Sequence, residues 1–542
     1  MAFRREDYSG IPASSALAMA LMESSGIRQM IDDACEYDVQ RLLTPGNAVK
    51  AMIGPIFDAR KKSPLSKIHT FYHSAPIRRL FGSRLNEQSL NDQAFGRSLD
   101  TLYDADRRQL MWDCADSICR RYGLQSDVYH MDSTDFSVYA EDDKDDVFEA
   151  IPMFNGHPKD GRCDLRQYAV QSITDGNNII RFVKPYSGNV VDSQMDMETL
   201  DFLEENIDCS NSVLVADCKL VNDDLVDRIF GMRLGFVSKC PESFGKKAAE
   251  RIRYSAENGI MDPSITKDGW ELYDCDDDIE ICGVNRRLRF IAYRIPAKKD
   301  SNLEYLKVQG EREVRRVFKR FSKEMFSCES DARKQFSLTL GKLKGSAYDV
   351  SADFIPVESR VKRKGRGRSK KDDVPEIITE WKVDVSYKFD SELAERMAGD
   401  EDIRVIITNL PRMSDRTVGI RTGADADAVL RLYLDEYKVE SNYALMKSGM
   451  GIDQVYLQTP SRESSMIFVI GIATLLSDVI TKVLKDNGIG KTSKTVNEEL
   501  VSLILKEGTE DIVALGKDDS IDQLETYVKL LKLDPESLLG VF

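Results

Sequence analysis

The sequence has little of what several common kinds of functional site require. Histidine occurs only four times in 542 residues, which argues against a histidine-based metal centre or a Ser-His-Asp hydrolase. The ten cysteines are scattered without a CxxC pair, so neither a zinc site nor a disulfide framework is indicated. No GxxxxGK[ST] and no strand-linked GxGxxG is present. Phosphate-loop ATP binding and Rossmann dinucleotide binding therefore lack support.

Long hydrophobic runs are also missing. The most apolar stretch, from Met466 to Leu476, has eleven residues, which is too short to span a bilayer. It is predicted to be a buried helix. The opening MAFRREDYSGIPASS has no apolar core behind its charges and predicts no signal peptide. These features predict a cytoplasmic protein without a membrane span.

Charge and composition leave room for a local nucleic-acid-binding surface. The net charge is −15, from 76 basic and 91 acidic side chains, which argues against a uniformly basic coat but not against a basic patch. The chain is 42% hydrophobic, enough for globular cores, and its length predicts roughly three to four domains. The predicted boundaries are a helical region (1–125), the first part of a sheet-containing core (126–245), an insertion with β-strands and a basic loop (246–415), a helical second part of the core (416–485) and a helical C-terminal tail (486–542).

Local patterns predict the elements of the helical region and of the core. IPASSALAMALMESSG has apolar residues at helical spacing, with Ser14 or Ser15 as the expected N-cap. LRQYAVQSITDG and NNIIRFVKPYSGN predict a hairpin that turns near Asp175 and Gly176. NSVLVAD predicts a short buried strand, and the helical segments DMETLDFLEENI and LVNDDLVDRIFGM flank it. Strand pairs followed by alternating strands and helices predict an α/β fold with a mixed sheet.

Two basic runs are candidates for contact with DNA. Between Arg41 and Arg84 nine basic side chains accompany a single acid, and aromatic residues lie among them. Such a block can follow a phosphate backbone, although an ordinary solvated face is the simpler alternative. In the run from Arg360 to Lys371, eight of twelve residues are Lys or Arg, and its glycines predict a loop. The candidate contact residues of these runs are Lys61, Lys62, Arg78, Arg79, Arg363 and Arg366.

Three acids are candidate metal ligands. Asp132 ends the extended run VYHM, and Asp217 follows VLVA, so both are expected at the carboxyl edge of a sheet. A single long helix is predicted from Asp425 to about Lys447, and it carries Glu440. Each acid alone is explained as a cap, a turn residue or part of a solvated face. Together they are the minimum for a pair of Mg²⁺ ions, which prefer oxygen ligands and promote phosphoryl transfer.

The helix and both aspartate motifs resemble one family. Tyr433, Glu436, Glu440 and Lys447 have the spacing of the Y-(2)-R-(3)-E-(6)-K signature of DDE-type insertion-sequence transposases of the IS-four superfamily, with Glu436 in the arginine position. HMDST and VADCKL resemble the family's two strand-end aspartate motifs. GHPKDGRCDLRQY followed by IIRFVKPYSGNVVD resembles the polar stretch between them. The resemblance covers most of the chain.

The resemblance implies a ribonuclease-H-like catalytic core with a β-rich insertion between Asp217 and Glu440. Asp132, Asp217 and Glu440 would bind two Mg²⁺ ions, with Mn²⁺ as a substitute. The implied reaction is hydrolysis at the inverted-repeat ends of a transposon, followed by strand transfer into target DNA. The implied partners are double-stranded DNA and a second copy of the chain, in a synaptic homodimer associated with the nucleoid. Region 1–125 would bind the DNA ends.

The resemblance also assigns DNA contacts. Tyr433 and Lys447 would contact phosphates near the cleaved bond, and an insertion-domain tryptophan that holds a flipped base in relatives has two candidates here, Trp270 and Trp381. The residues assigned from the polar stretch are Lys159, Arg162 and Gln167.

Two alternatives to an active transposase remain at this point. One is a catalytically inactive relative that serves as a sequence-specific DNA-binding protein. Glu436 bears on it because it adds negative charge one turn before Glu440, where the family has arginine. The other is a metal-dependent nuclease that acts on structured nucleic acid without strand transfer. The presence of all three acids favours the active enzyme.

Overall fold

The computed structural model has an α/β fold with extensive helical regions. It describes residues 10–59, 67–138, 166–187, 190–241, 243–294, 298–321, 323–341, 343, 346–360, 377–400, 403–412, 423–435, 437–446, 459–507, 512–515 and 518–534. In this part of the chain there are eighteen α-helices and fifteen β-strands. The predicted fold class, α/β with a mixed sheet and helical regions, is confirmed.

The helices are α1 (Ala13–Ser24), α2 (Ile27–Ala34), α3 (Pro45–Ile56), α4 (Ile68–Phe71), α5 (Ile77–Phe81), α6 (Asp92–Asp104), α7 (Arg107–Tyr122), α8 (Asp192–Asn206), α9 (Asp223–Met232), α10 (Lys246–Glu257), α11 (Lys298–Phe318), α12 (Glu329–Leu340), α13 (Ser391–Asp400), α14 (Ala426–Leu434), α15 (Tyr437–Ala444), α16 (Pro460–Asp486), α17 (Ser493–Leu500) and α18 (Asp518–Leu530). The strands are β1 (Ile11–Pro12), β2 (Val128–Val138), β3 (Arg166–Asp175), β4 (Ile180–Ser187), β5 (Val213–Ala216), β6 (Gly235–Lys239), β7 (Ser264–Ile265), β8 (Glu271–Ile281), β9 (Val284–Arg294), β10 (Met325–Phe326), β11 (Tyr348–Arg360), β12 (Ile377–Phe389), β13 (Ile403–Thr408), β14 (Ile504–Glu507) and β15 (Ile512–Leu515).

A nine-stranded mixed sheet has the strand order β4-β3-β2-β5-β6-β13-β9-β8-β7. Strands β2, β5 and β6 run parallel to one another, whereas β3 and β4 form an antiparallel hairpin. The hairpin turns where the sequence predicts it, because the Asp175 carboxylate accepts hydrogen bonds from the main-chain N–H groups of Asn177 and Ile179, at 2.9 and 3.1 Å. Such an Asx-type turn reverses the chain without help from distant residues.

Helix α16 is the centre of a large helical core. It packs against α1, α3, α6 and α7 and against strand β4. Its segment Ser461–Asp486 is long and apolar enough to cross a membrane, but 89% of the apolar window is buried inside the protein. The predicted buried helix is therefore confirmed, and its burial is compatible with a soluble protein.

The N-terminal helices belong to this same core. Helix α1 begins at Ala13 after Pro12, and its cap residue forms no side-chain hydrogen bond. The predicted serine cap is therefore wrong. The Ser14 and Ser15 hydroxyls donate instead to the carbonyl oxygens of Phe57 and Gly54, at 2.9 and 2.6 Å, because both serines face α3.

The C-terminal segment contains strands as well as helices. Helices α17 and α18 correspond to the two amphipathic segments expected there, and β14 and β15 form a hairpin between them. Strand β14 also pairs antiparallel with β1. The tail is therefore tied to the start of the described chain by a three-stranded sheet.

The chain divides into two compact units, residues 1–246, 276–289 and 406–542 in the first, and residues 247–275 and 290–405 in the second. The second unit lies inside the interval predicted to be an insertion. Strands β10, β12 and β11 form a sheet of its own, and helices α11 and α12 pack on it. Its core residues are Val314, Phe318, Phe321, Phe326, Ala332, Val350 and Val383.

The helix predicted as continuous from Asp425 is two helices. Helix α14 ends at Leu434, and the N–H of Asp435 caps it by donating to the Arg431 carbonyl oxygen at 3.0 Å. Helix α15 begins two residues later, at Tyr437. Aspartate is a poor residue for a helix interior because its carboxylate competes for local N–H groups. The interval of seven between Tyr433 and Glu440 therefore does not place them on one helical stripe.

Candidate active site beside β2 and β5

The structure places Asp132 and Asp217 side by side. Strands β2 and β5 are parallel neighbours, and their last paired residues are Met131 and Ala216. Asp217 directly follows β5, as predicted. Asp132 lies within β2, which continues to Val138 beside β3, so the predicted strand end at Asp132 is wrong, and only the pairing with β5 stops there. Both side chains are half-buried. Neighbouring strands of the sheet thus bring together two aspartates that are 85 positions apart in the sequence.

Main-chain groups orient both carboxylates. One oxygen of Asp132 accepts a hydrogen bond from the N–H of Ser133 at 2.7 Å. One oxygen of Asp217 accepts from the N–H of Lys219 at 2.9 Å and caps a short helical turn. The Ser238 hydroxyl on β6 donates to the Asp217 carbonyl oxygen at 2.8 Å. Main-chain N–H groups near each aspartate therefore orient its carboxylate, and Ser238 ties the backbone of Asp217 to β6.

Helix α15 is attached directly to the strand that carries Asp132. The Tyr443 hydroxyl donates to the main-chain carbonyl oxygen of Asp132, and the Val170 carbonyl oxygen on β3 lies 3.4 Å away. Tyr443 is buried, and its burial, with the Asp132 charge, raises the pKa of its phenol well above the usual value. The phenol is therefore a neutral donor that fixes α15 against β2 and β3.

Glu440 lies on this attached helix but does not complete a cluster with the two aspartates. It precedes Tyr443 by three residues, so the two side chains share a helical face. The Glu440 side chain is exposed. Among the residues that the structure describes, including these three acids, no group of three Asp, Glu, His or Cys side chains is arranged to hold a metal ion. Two of the three candidate ligands are near each other in the sheet, and the third is on the helix that is hydrogen-bonded to the main chain of Asp132.

A lysine accompanies the aspartate pair. Lys219 Nζ lies 2.7 Å from a carboxylate oxygen of Asp192, in the first turn of α8. Partial burial lowers the pKa of Lys219, but the Asp192 ion pair and the charges of Asp217 and Asp132 together raise it. A positive charge therefore offsets part of the repulsion between the two aspartates.

A fourth acid, Asp196, was not found from the sequence. It is buried on α8, where Gln171 Nε2 donates to its carboxylate at 3.0 Å. Burial, assisted by the charge of Asp217, raises the pKa of Asp196 to about 7. The sequence feature that could have identified Asp196 is its position on the buried face of α8, between Met195 and Thr199.

The raised pKa predicts how Asp196 affects stability. An unfolded aspartate titrates near ~3.9, so between about pH 4 and 7 the native state binds its proton more tightly and loses stability as pH rises. Asp196→Asn removes this loss. We expect the melting temperature of Asp196→Asn minus that of the wild type to be a few degrees larger at pH 8 than at pH 5. Glu205→Gln, at an exposed position of the same helix, is the control, and an equal rise in both variants would contradict the assignment.

The basic block of the N-terminal region is divided between surface and core. Arg78 and Arg79 are exposed on α5, as a DNA-contacting role requires. Lys50 is buried and donates to the Leu80 carbonyl oxygen at 2.8 Å. The aromatic rings are also buried; Tyr72 packs edge-to-face on Phe81 with ring centroids 5.3 Å apart. The aromatic residues of this block therefore belong to the hydrophobic core.

Other predicted contact residues are only partly described. Tyr433 is half-buried on α14. Gln167 is described only by its backbone, in β3 opposite Ser137. Trp270 stacks on Tyr293 with centroids 6.0 Å apart, and Trp381 packs against the core of the second unit. The residues outside the described part of the chain are Lys61, Lys62, Lys159, Arg162, Arg363, Arg366, Glu436 and Lys447.

Part of the chain matches a known domain family. Residues 14–115 match the family described as a domain of unknown function, DUF4277. This domain is found in transposase-like proteins. The match extends from α1 into α7, the helices that surround α16. No match to the chain is found among curated proteins.

Proposed function

We propose that the protein is a DDE-type transposase that cleaves DNA at the inverted-repeat ends of a transposon and transfers the strands into target DNA. The observation that supports the proposal is the position of Asp132 and Asp217 directly after the last paired residues of the parallel strands β2 and β5, with α15 bonded to the main chain of Asp132 through Tyr443. The proposed core is ribonuclease-H-like. The DUF4277 match supports the proposal because that domain is found in transposase-like proteins.

The chemistry of the donor set fits divalent cations. Carboxylate oxygens are ligands that Mg²⁺ and Mn²⁺ accept, and the structure supplies two of them side by side. In the proposal Asp132 and Asp217 hold two ions, with Glu440 as the third ligand. Such ions, when bound, activate a water or a 3′-hydroxyl and stabilise the leaving oxygen. The protein's own part is to aim the two carboxylates through the N–H groups of Ser133 and Lys219.

The proposed partners are double-stranded DNA and a second copy of the chain, in a cytoplasmic, nucleoid-associated synaptic complex. The exposed Arg78 and Arg79 are the described basic residues assigned to phosphate contact. The other proposed DNA-contacting residues are Tyr433, Lys447, Lys159, Arg162, Gln167, Lys61, Lys62, Arg363 and Arg366.

A second candidate function is that of a catalytically inactive, sequence-specific DNA-binding relative. The observation that favours it is the exposure of Glu440 outside a three-acid group. Glu436, in the signature's arginine position, also favours this candidate because it adds a negative charge four residues before Glu440, and negative charge repels DNA phosphates.

One assay separates the candidates. The purified protein is incubated with Mg²⁺ and with duplexes that carry the sequences flanking its gene, together with a target plasmid. Joined products support the transposase. Binding to the ends without nicks supports the inactive relative, and unselective cutting supports a nuclease.

Phosphate contact by Arg78 and Arg79 has a measurable consequence. Each phosphate that is neutralised contributes about −0.9 to the slope of log K against log salt concentration. We expect the double variant Arg78→Ser/Arg79→Ser to bind end DNA more weakly and with a slope reduced by roughly 1–2. Lys485→Ser/Lys529→Ser, which removes two other exposed charges, is the matched control. An unchanged slope in the arginine variant would remove α5 from the DNA interface.

A further inference from the structure

Three buried polar side chains meet between α15, α16 and β3. Asn442 Nδ2 donates to the Thr174 hydroxyl oxygen at 3.1 Å and to a carboxyl oxygen of Asp478 at 3.3 Å. The same Asp478 oxygen accepts a hydrogen bond from the N–H of Ile180 at 3.0 Å. All three side chains are at least nine-tenths buried. The network joins the helix that carries Glu440 to the sheet and to the central helix of the core.

Packing a helix through buried polar groups costs more free energy than packing it through apolar side chains. Burying amide, hydroxyl and carboxyl groups costs free energy unless each is hydrogen-bonded. Burial, with the nearby Asp175 charge, raises the pKa of Asp478 well above its ordinary value. Apolar side chains of similar size would hold α15 in place at lower cost. What the polar network adds is a requirement for one specific arrangement of donors and acceptors.

The arrangement controls the position of α15 next to the aspartate pair. Asn442 lies two residues after Glu440 and directly before Tyr443. On the strand side, Thr174 is two residues from Ser172, which pairs with Asp132 across β2 and β3. A shift of α15 by one residue rotates its side chains by about 100°. Such a shift would separate Asn442 from both acceptors and change the direction in which Glu440 points.

We propose that Asn442 is a positioning residue, which through Thr174 and Asp478 sets the register of α15 on the sheet and so the approach of Glu440 to Asp132. The inference rests on the proposed function, because it assigns Glu440 a role at the metal ions. Nothing in the transposase signature points to Asn442, whose position the Y-R-E-K spacing leaves open.

Two variants of Thr174 test this role. Thr174→Val keeps the volume but removes the oxygen that accepts from Asn442, whereas Thr174→Ser keeps the oxygen and loses a methyl group. We expect Thr174→Val to lower kcat for end cleavage about tenfold, the effect of one lost buried hydrogen bond, and to raise the Mg²⁺ concentration for half-maximal cleavage. End-DNA affinity should stay within twofold. Thr174→Ser should keep the wild-type Mg²⁺ dependence.

A different result is expected if the Asn442 network only stabilises the fold. In that case the activities of both variants follow their melting temperatures, and the Mg²⁺ dependence does not distinguish Val from Ser. That result would overturn the inference.

Hydrogen exchange separates the inference from the proposed function. If the wild-type protein cleaves no DNA, the proposed function fails, but exchange of the α15 amides still reports its attachment. We expect these amides to exchange about tenfold faster in Thr174→Val than in Thr174→Ser, with β2 unchanged. Equal exchange in the two variants would show that the network does not hold the helix.

Discussion

Asp132→Asn and Asp217→Asn are each expected to reduce end cleavage by at least about a thousandfold while binding to the same DNA stays within twofold. Asparagine has nearly the same shape as aspartate, and its amide oxygen still accepts the N–H of Ser133 or Lys219. It lacks the negative charge that holds a divalent cation. The substitutions leave the basic surfaces that are proposed to bind phosphates unchanged, so cleavage should be lost while binding is retained.

The measurement is a single-turnover cleavage rate with saturating protein, beside a binding titration in Ca²⁺. Asp135→Asn is the matched control because Asp135 is half-buried on the same strand, three residues further on, and faces the other side of the sheet. It should cleave at close to the wild-type rate. Either main variant cleaving at near-normal rate would remove that aspartate from the active site.

Gly471→Ala is expected to destabilise the first unit by about 1–3 kcal/mol. A Cβ atom at this position would lie 2.7 Å from Cγ1 of Val183 on β4 and 3.4 Å from the sulfur of Met111 on α7. Valine has few rotamers and cannot move its methyl groups far. The close crossing of α16 over β4 therefore requires glycine.

Denaturant unfolding measures this effect, and Gly231→Ala is the control. Gly231 lies in α9, where an added Cβ meets nothing within 4 Å, so the substitution should stabilise the helix by about 0.5–1 kcal/mol. Val183→Ala should restore part of the stability that Gly471→Ala loses, because it removes the clashing methyl groups. Equal effects of the two glycine substitutions would contradict the close crossing.

The elements that the sequence predicts well are those whose cause is local. The β3–β4 hairpin depends on the Asx-type turn at Asp175, which the residues on either side determine. Strand β5 is a short apolar run that ends at an acid, and α16 is a continuous apolar segment. Asp217 follows a buried strand, as the rule for parallel sheets predicts, but Asp132 lies inside β2, and its proximity to Asp217 depends on where the pairing of β2 with β5 stops.

Features that depend on tertiary contacts could not be predicted from the sequence. A basic side chain within a basic run is expected at the surface, yet Lys50 is buried because Glu23 lies 2.9 Å from its ammonium group. Ser14 and Ser15 resemble caps in sequence but bond to α3. Asp196 has no local signal except its place on an apolar helical face. In each case the partner that decides the outcome is distant in the sequence.

The position of Glu440 could not be predicted from residue spacing alone. The interval between Tyr433 and Glu440 fits one helix, but the chain turns at Asp435, and α15 is oriented by Tyr443 and Asn442. Neither contact is visible from heptad spacing, because each requires knowing which strand lies beneath the helix. The resemblance implies that Glu440 is a ligand, while the position of its helix depends on these contacts.

Manganese binding to the protein on its end DNA tests the central claim most directly. Electron paramagnetic resonance counts the bound ions and detects magnetic coupling between close neighbours. The account predicts two coupled Mn²⁺ ions per chain in the wild type, loss of both in Asp132→Asn, and loss of at least one in Glu440→Gln. Absence of tight Mn²⁺ binding in the wild type, or wild-type occupancy in Glu440→Gln, would contradict it.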